Sequence, residues 1–265
     1  MAVHVMLHIH CGDCAAEKAR QAVLPVADHV VHVDHVDHVD HLDHEILVWH
    51  DSPALGPCSI DFATHRQLRA QWWQHDPADM QSPAEVPRDR PLVLWFGPDP
   101  WEQLALVELL AGLPDAPISL VPLDRGVGET SPALLPARFE RRYPAPPREP
   151  LRRLWADFCA DERDALAAAV TELRGHPRLP HLAAALARVL ADRRDQLTER
   201  RVRTLVAAGI HDLHDLMQRL RALEAPGHGA WYGDATVARL RDATVARLRD
   251  ATVARLRDAA LAAAS

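Results

Sequence analysis

Four short apolar runs, AVHVMLHI at 2–9, EILVWH at 45–50, PLVLWF at 91–96 and ISLVPL at 118–123, alternate with helical stretches through the first half of the chain. Runs so short and so nearly continuous in apolar side chains read as strands covered on both faces, and the helices between them are long enough to be the crossovers of a parallel sheet. The helical stretches run from Cys14 to Leu24, Asp61 to Gln74 and about Pro100 to Ala111. The pattern predicts an α/β fold: a Rossmann-like three-layer domain with a parallel sheet over residues 1–145, carrying an insertion at about 29–44.

From Leu151 the strand signal stops. Helical patterns cover Leu151 to Arg174, Pro180 to Asp192, Thr198 to Ala208 and Asp212 to Leu223, with Thr198 and Asp212 placed as N-caps. This predicts a mainly α-helical C-terminal domain over 150–233 and a helical tail over 234–265. The tail holds DATVARLR three times in succession, at 234–241, 242–249 and 250–257. Eight residues advance a helix by about 800°, so equivalent side chains drift by about 80° per unit and form no coiled-coil seam.

A chain of 265 residues with 48% apolar and 25% charged composition can bury a large core, and four cysteines do not make a disulfide scaffold. The first residues lack the basic and apolar regions of a signal peptide, and no run reaches membrane-spanning length, so no membrane association and a cytoplasmic location are the expectation. Of the 37 acidic and 30 basic residues, 22 and 11 lie up to Pro150, and the remaining 15 and 19 follow it. The acidic half is thereby a poor binder of phosphate backbones. The helical half offers Arg200, Arg201 and Arg203 beside a glycine-bearing helical turn, the length of a helix-turn-helix, although helical hairpins are far commoner than DNA readers.

Ligands of such sheets collect beyond the carboxyl ends of the strands. Four polar clusters fall there: His10, Gly12 and Asp13; His50 and Asp51; Gly97 and Asp99; and Asp124, Gly126 and Gly128. Aspartate and glycine are also ordinary caps and turn formers, and structural service is the commoner role for any one of them. Neither GxGxxG after the first strand nor a P-loop is present.

Between the first helix and the second strand, histidines recur every third residue from His29 to His44 among valines and aspartates. A period of three matches neither strand nor helix, so His35, His38 and His41 read as members of a solvated expansion with adventitious metal affinity. Cys11 and Cys14 form a CxxC at a strand-to-helix junction, where thiol chemistry, a zinc site with His8 and His10, and two incidental small residues are all open.

The segments LHIHCGDCAAE (7–17), EILVWHDSPALGP (45–57) and LVLWFGPDPWEQLALVELLAGL (92–113), with weaker GVGE (126–129), RLPHLAAALARVL (178–190) and WYGD (231–234), resemble the DUF1835 family of bacterial proteins and its associated helical C-terminal region. The resemblance implies that Gly12, Asp13, Asp51, Gly56, Pro57, Gly97, Asp99, Gln103, Gly128 and Glu129 are the family-like polar positions. It implies an architecture and no mechanism. Cys14 stands where the family-like pattern has Ser, which removes a hydroxyl from the first turn.

Two functions follow as expectations. In the first, a phosphorylated or nucleotide-like small molecule sits at the carboxyl edge of the sheet; Asp13, Asp51 and Asp99 are the catalytic or metal-ligating candidates, holding Mg²⁺, and Gly12, Asp13, Gly97 and Gly128 approach the ligand. In the second, the protein is a noncatalytic adaptor or regulator contacting protein or DNA through its helical half.

Overall fold

The computed structural model describes residues 6–23, 44–224 and 234–264. The histidine repeat, with His35, His38 and His41, lies outside the described residues. The chain divides into two compact units, residues 1–187 and 188–265.

The first unit is built on a five-stranded sheet in the order β2-β1-β3-β4-β5, with β1 Met6–Cys11, β2 His44–Trp49, β3 Leu92–Trp95, β4 Ile118–Leu120 and β5 Tyr143–Pro144. Strands β1 to β4 are parallel, and Ile9 stands between Leu47 of β2 and Leu94 of β3. The sheet is mixed rather than wholly parallel, because β5 runs antiparallel to β4, pairing Tyr143 with Leu120. Two residues cannot display an alternation, so this strand left no trace in the sequence pattern.

Both faces of the sheet are covered, which explains the unbroken apolar runs. On one face Val93 and Trp95 pack with Ala15 and Ala22 of α1 (Asp13–Val23), with Leu135 of α4 (Leu135–Glu140), and with Val121, Leu123 and Val127. On the other face lie α2 (Phe62–Trp73), α3 (Pro100–Gly112) and α5 (Glu149–Ala160). Helix α3 is apolar nearly all round, as a helix with neighbours on every side must be. Its Gly112 lies so close to Phe62 and Pro83 that a Cβ there would collide with both.

The helical stretch expected over 151–174 is two helices, α5 and α6 (Arg163–Glu172). Asp161 ends α5 in the left-handed conformation, φ 54°, and its N–H caps the carbonyls of Asp157 and Phe158.

In the second unit, Arg188 meets Glu224 at 2.7 Å and Thr198 at 3.1 Å, tying together α7 (Leu182–Asp195), α8 (Leu197–Ala207) and the end of α9 (Leu213–Ala222). Asp212 caps α9 by accepting from the Asp215 N–H. Thr198, expected as a cap, instead lies inside α8 and donates its N–H to Asp192.

Helix α10 (Asp234–Ala264) carries the tandem repeats and packs on α8 and α9. The eight-residue drift is visible in its burial: Val237 is fully buried, Val245 half-buried and Val253 65% exposed.

Candidate functional site

The connection order reverses beside β1, since β2 lies on one side of it and β3 on the other. At the carboxyl end of β1, Gly12 has φ +81°, donates its N–H to Trp49 O at 3.0 Å, and opens α1. Asp13 follows with its carboxylate 86% exposed and 3.8 Å from His50.

Asp51, after β2, is committed elsewhere. Its two oxygens accept from Arg69 Nε and Nη2 at 2.6 and 2.5 Å, and Oδ1 also receives Trp73 Nε1–H and the Ser52 N–H. Burial pushes this carboxyl up, but the charge and hydrogen bonds of Arg69, with Trp73 and Ser52, outweigh it and hold Asp51 below the usual carboxylate range. Arg69 also donates to the carbonyl oxygens of Ser52, Leu55 and Pro57, so the pair pins the 51–57 loop to α2.

Asp99, after β3, is the N-cap of α3 and accepts from the Glu102 N–H at 2.9 Å. Glu102 reaches back to accept the Gly97 N–H. Burial raises Asp99 to about 6, and burial with the neighbouring Asp99 charge raises Glu102 well above the usual range. Burial, then Glu102 and Asp99, also push the Cys11 thiol up, which opposes thiolate chemistry at the CxxC; Cys14 is exposed.

The three aspartates therefore serve differently: Asp13 faces solvent, Asp51 holds a loop, and Asp99 caps a helix. Among the described residues no group of three His, Cys, Asp or Glu side chains is placed to hold a metal ion. The shared Mg²⁺ site expected of these aspartates, and the zinc alternative at Cys11, Cys14, His8 and His10, find no such cluster.

His8 and His10 lie on the covered face of β1. Trp95 Nε1–H donates to His8 Nδ1 at 3.1 Å, which leaves the His8 proton on Nε2, 2.8 Å from His44 Nδ1. His10 stacks on Trp95 and has no hydrogen-bond partner for either ring nitrogen. Burial, with neighbouring positive charge, lowers His8 to about 2 and His10 to about 3, so both are neutral core residues.

Among the glycines, Gly97 is required by packing: a Cβ would stand 2.7 Å from Gly126 N and 2.8 Å from Gly126 Cα. Gly128 would place a Cβ in ordinary contact, 3.6 Å from the Cys14 Cβ, and Gly12 would meet nothing within 4 Å. Of these three strand-end glycines, Gly12 is the one with open space beside its backbone.

A cleft of about 180 Å³ opens at the carboxyl ends of β3 and β4. Its walls include Leu94, Phe96, Leu106 and Leu120; Asp124, Arg138, Tyr143, Arg178 and His181 supply its polar groups, together with Gln103 of α3. Arg138 Nη2 spans both oxygens of Asp124 at 3.1 and 3.0 Å, and His181 Nε2 lies 2.8 Å from Leu123 O. Gln103 donates from Nε2 to Gly97 O at 2.7 Å, while its buried Oε1 has no partner. No local sequence pattern announces the cleft, because its polar residues come from five separate segments. The one local signal is a glutamine inside a helix otherwise nearly all apolar.

In the helical half, two of the three arginines read as a nucleic-acid face have internal partners: Arg201 meets Glu224 at 2.5 Å and Arg203 meets Glu199 at 2.9 Å. Among the described residues no helix is long and apolar enough to cross a membrane.

No family model matches the chain, and no curated protein or solved structure matches it. The resemblance to the DUF1835 family is corrected accordingly: the motif blocks quoted for it do not amount to a match. The positions it singled out stand on their own geometry.

Proposed function

We propose that the N-terminal unit binds a small phosphorylated or otherwise anionic metabolite at the carboxyl edge of its sheet, in the cleft beside β3 and β4. The observation that carries this reading is the placing of Arg138 and Arg178 among the lining residues of a cleft that opens at the carboxyl ends of β3 and β4. Arginine is the side chain best matched to carboxylate and phosphate oxygens. A volume of about 180 Å³ falls below the roughly 300–1,000 Å³ of sites that enclose drug-sized ligands, so the ligand, or the part of it that enters, is small. A nucleotide-like ligand would leave most of itself outside.

The sheet order, with its reversal at β1, supports the Rossmann-like three-layer reading, and ligands of such sheets bind at the strand carboxyl ends. The ligand sits to one side of the turns around Asp13, Asp51 and Asp99, and the arginines make a bridging Mg²⁺ unnecessary for an anion. The test is thermal unfolding of the full chain with a panel of small phosphates and carboxylates. A binder stabilises the protein through linkage, and the gain is expected to vanish in the Arg138→Gln/Arg178→Gln double variant. A panel without a stabilising compound, or a gain indifferent to the two substitutions, overturns the proposal.

A further inference from the structure

We infer that His181 binds the ligand's anionic group as an imidazolium, so that the cleft takes up its oxyanion together with one proton. The inference rests on the reading of the cleft as an anion-binding site and assigns that site a third cation. Its source is the hydrogen bonding of one ring. His181 Nε2 lies 2.8 Å from Leu123 O, and a carbonyl oxygen only accepts, so the proton of the neutral ring is on Nε2. Among the described residues nothing bonds to Nδ1, and this atom is not shielded from solvent as both ring nitrogens of His10 are. His181 thus lines the cleft and keeps one accessible nitrogen with a lone pair.

A lone pair repels an oxyanion. Contact between the two requires a proton, supplied either by the ring as an imidazolium or by the ligand as an acidic O–H. The charges of the lining favour the ring. Arg138 and Arg178 against Asp124 leave the cleft one positive charge, and an imidazolium raises it to two, the charge that matches a dianionic oxyanion. A cleft of about 180 Å³ is small enough that one tetrahedral oxyanion meets more than one of its walls.

The other titratable groups of the lining do not take this proton. Burial pushes Asp124 up, but a hydrogen bond from its own backbone and the charge of Arg138 outweigh it and hold the carboxyl below the usual carboxylate range. Tyr143 donates its O–H to Arg178 O at 3.1 Å, and burial holds its phenol above the ordinary range. Arg178 gives Nη1 to Ala145 O, and its backbone N–H goes to Nδ1 of His176, which is not part of the lining. Of the side-chain types present, imidazole is the one that takes up a proton near neutral pH.

The experiment titrates the full chain with sulfate, a dianion that neither gains nor loses a proton between about pH 6 and 8, and follows binding by NMR at constant ionic strength. One proton linked to binding makes the affinity fall as pH rises, by up to about tenfold per unit where the free ring is neutral. The expected result is a fall approaching tenfold between about pH 7 and 8 in the wild type, and a flat profile in His181→Gln, whose amide can still donate to Leu123 O. Imidazole ¹⁵N spectra of the wild type read the same event, since Nδ1 of His181 passes from bare to protonated as sulfate is added at about pH 7.5. This second measurement carries the test by itself if the variant fails to fold. An affinity constant within about twofold from pH 6 to 8, a slope that persists in His181→Gln, or an Nδ1 that stays bare in the complex overturns the inference and leaves the anion site standing. If sulfate does not bind, or binds equally well in Arg138→Gln/Arg178→Gln, the anion site falls and the inference with it.

Discussion

Asp51 and Arg69 are joined by two hydrogen bonds, at 2.5 and 2.6 Å, and the guanidinium is 1% exposed while it also holds the carbonyl oxygens of the 51–57 loop. Removing one partner of such a pair leaves a buried charge uncompensated, at a cost of about 3–5 kcal/mol. Asp51→Ala and Arg69→Ala are each expected to lose that much in urea unfolding. The apolar double variant Asp51→Leu/Arg69→Met should lose less than the sum, since neither charge remains. A loss below about 1 kcal/mol in either single variant contradicts the structural role given to the pair.

The neutral histidines set the response to acid. Both have folded-state pKa values far below the ordinary 6.5, at about 2 for His8 and about 3 for His10. Between about pH 6.5 and these values the unfolded chain takes up protons at the two positions and the folded chain does not. Stability therefore falls as pH falls, by about 1.4 kcal/mol per pH unit for each histidine. Asp99 and Glu102, raised by burial, act in the opposite sense and favour the folded state as pH falls through about 6. Comparing the wild type with His10→Leu isolates the histidine. His10 makes no hydrogen bond, so the variant should be nearly as stable at pH 8 and should gain on the wild type steadily from pH 6.5 to 4.5. Parallel stability curves across that range would refute the assignment.

Two glycines at strand ends should answer differently to the same substitution. Gly97→Ala drives a Cβ into the backbone of Gly126, and the cost expected is about 2–3 kcal/mol. Gly12→Ala adds a Cβ in open space but in the left-handed region, worth about 1 kcal/mol. Chemical denaturation of both variants checks the order, and a larger loss at Gly12 reverses the account of which turn is packed.

Along α10 the repeat units are identical in sequence and unequal in burial. Val237→Ala should cost about 2–3 kcal/mol, as a fully buried methyl pair does, and Val253→Ala at the equivalent position should stay within about 0.5 kcal/mol. Equal losses would show that all units pack alike.

The strands and most helices were legible because burial on both faces writes an unbroken apolar run, as in Leu92–Trp95, whose side chains are all buried. Asp51 was legible as a polar residue at a strand end and illegible as a loop anchor, because its partner Arg69 lies 18 residues away on a helix. Asp99 looked the same in sequence and is a helix cap, which the following Pro100 and Glu102 already signalled. Gln103 stands out in sequence only through a resemblance that no family match supports; its place in the fold is set by its bond to the Gly97 carbonyl, and it lines the cleft. The break at Asp161 is not legible in sequence, because aspartate in the left-handed region is uncommon enough that no local rule anticipates it.

The close passage of Gly97 over Gly126 joins the turn after β3 to the turn after β4, and Glu102 and Gln103 clasp the N–H and the carbonyl of Gly97 from the first turn of α3. Phe96 and Asp124, which flank these turns, both line the cleft. The lining contributed by these two turns is thus held in one frame and not on two independent loops. A frame tied in this way has little freedom left to lose, so for the ligand proposed above the encounter itself, rather than a rearrangement after it, is expected to set how fast the cleft fills.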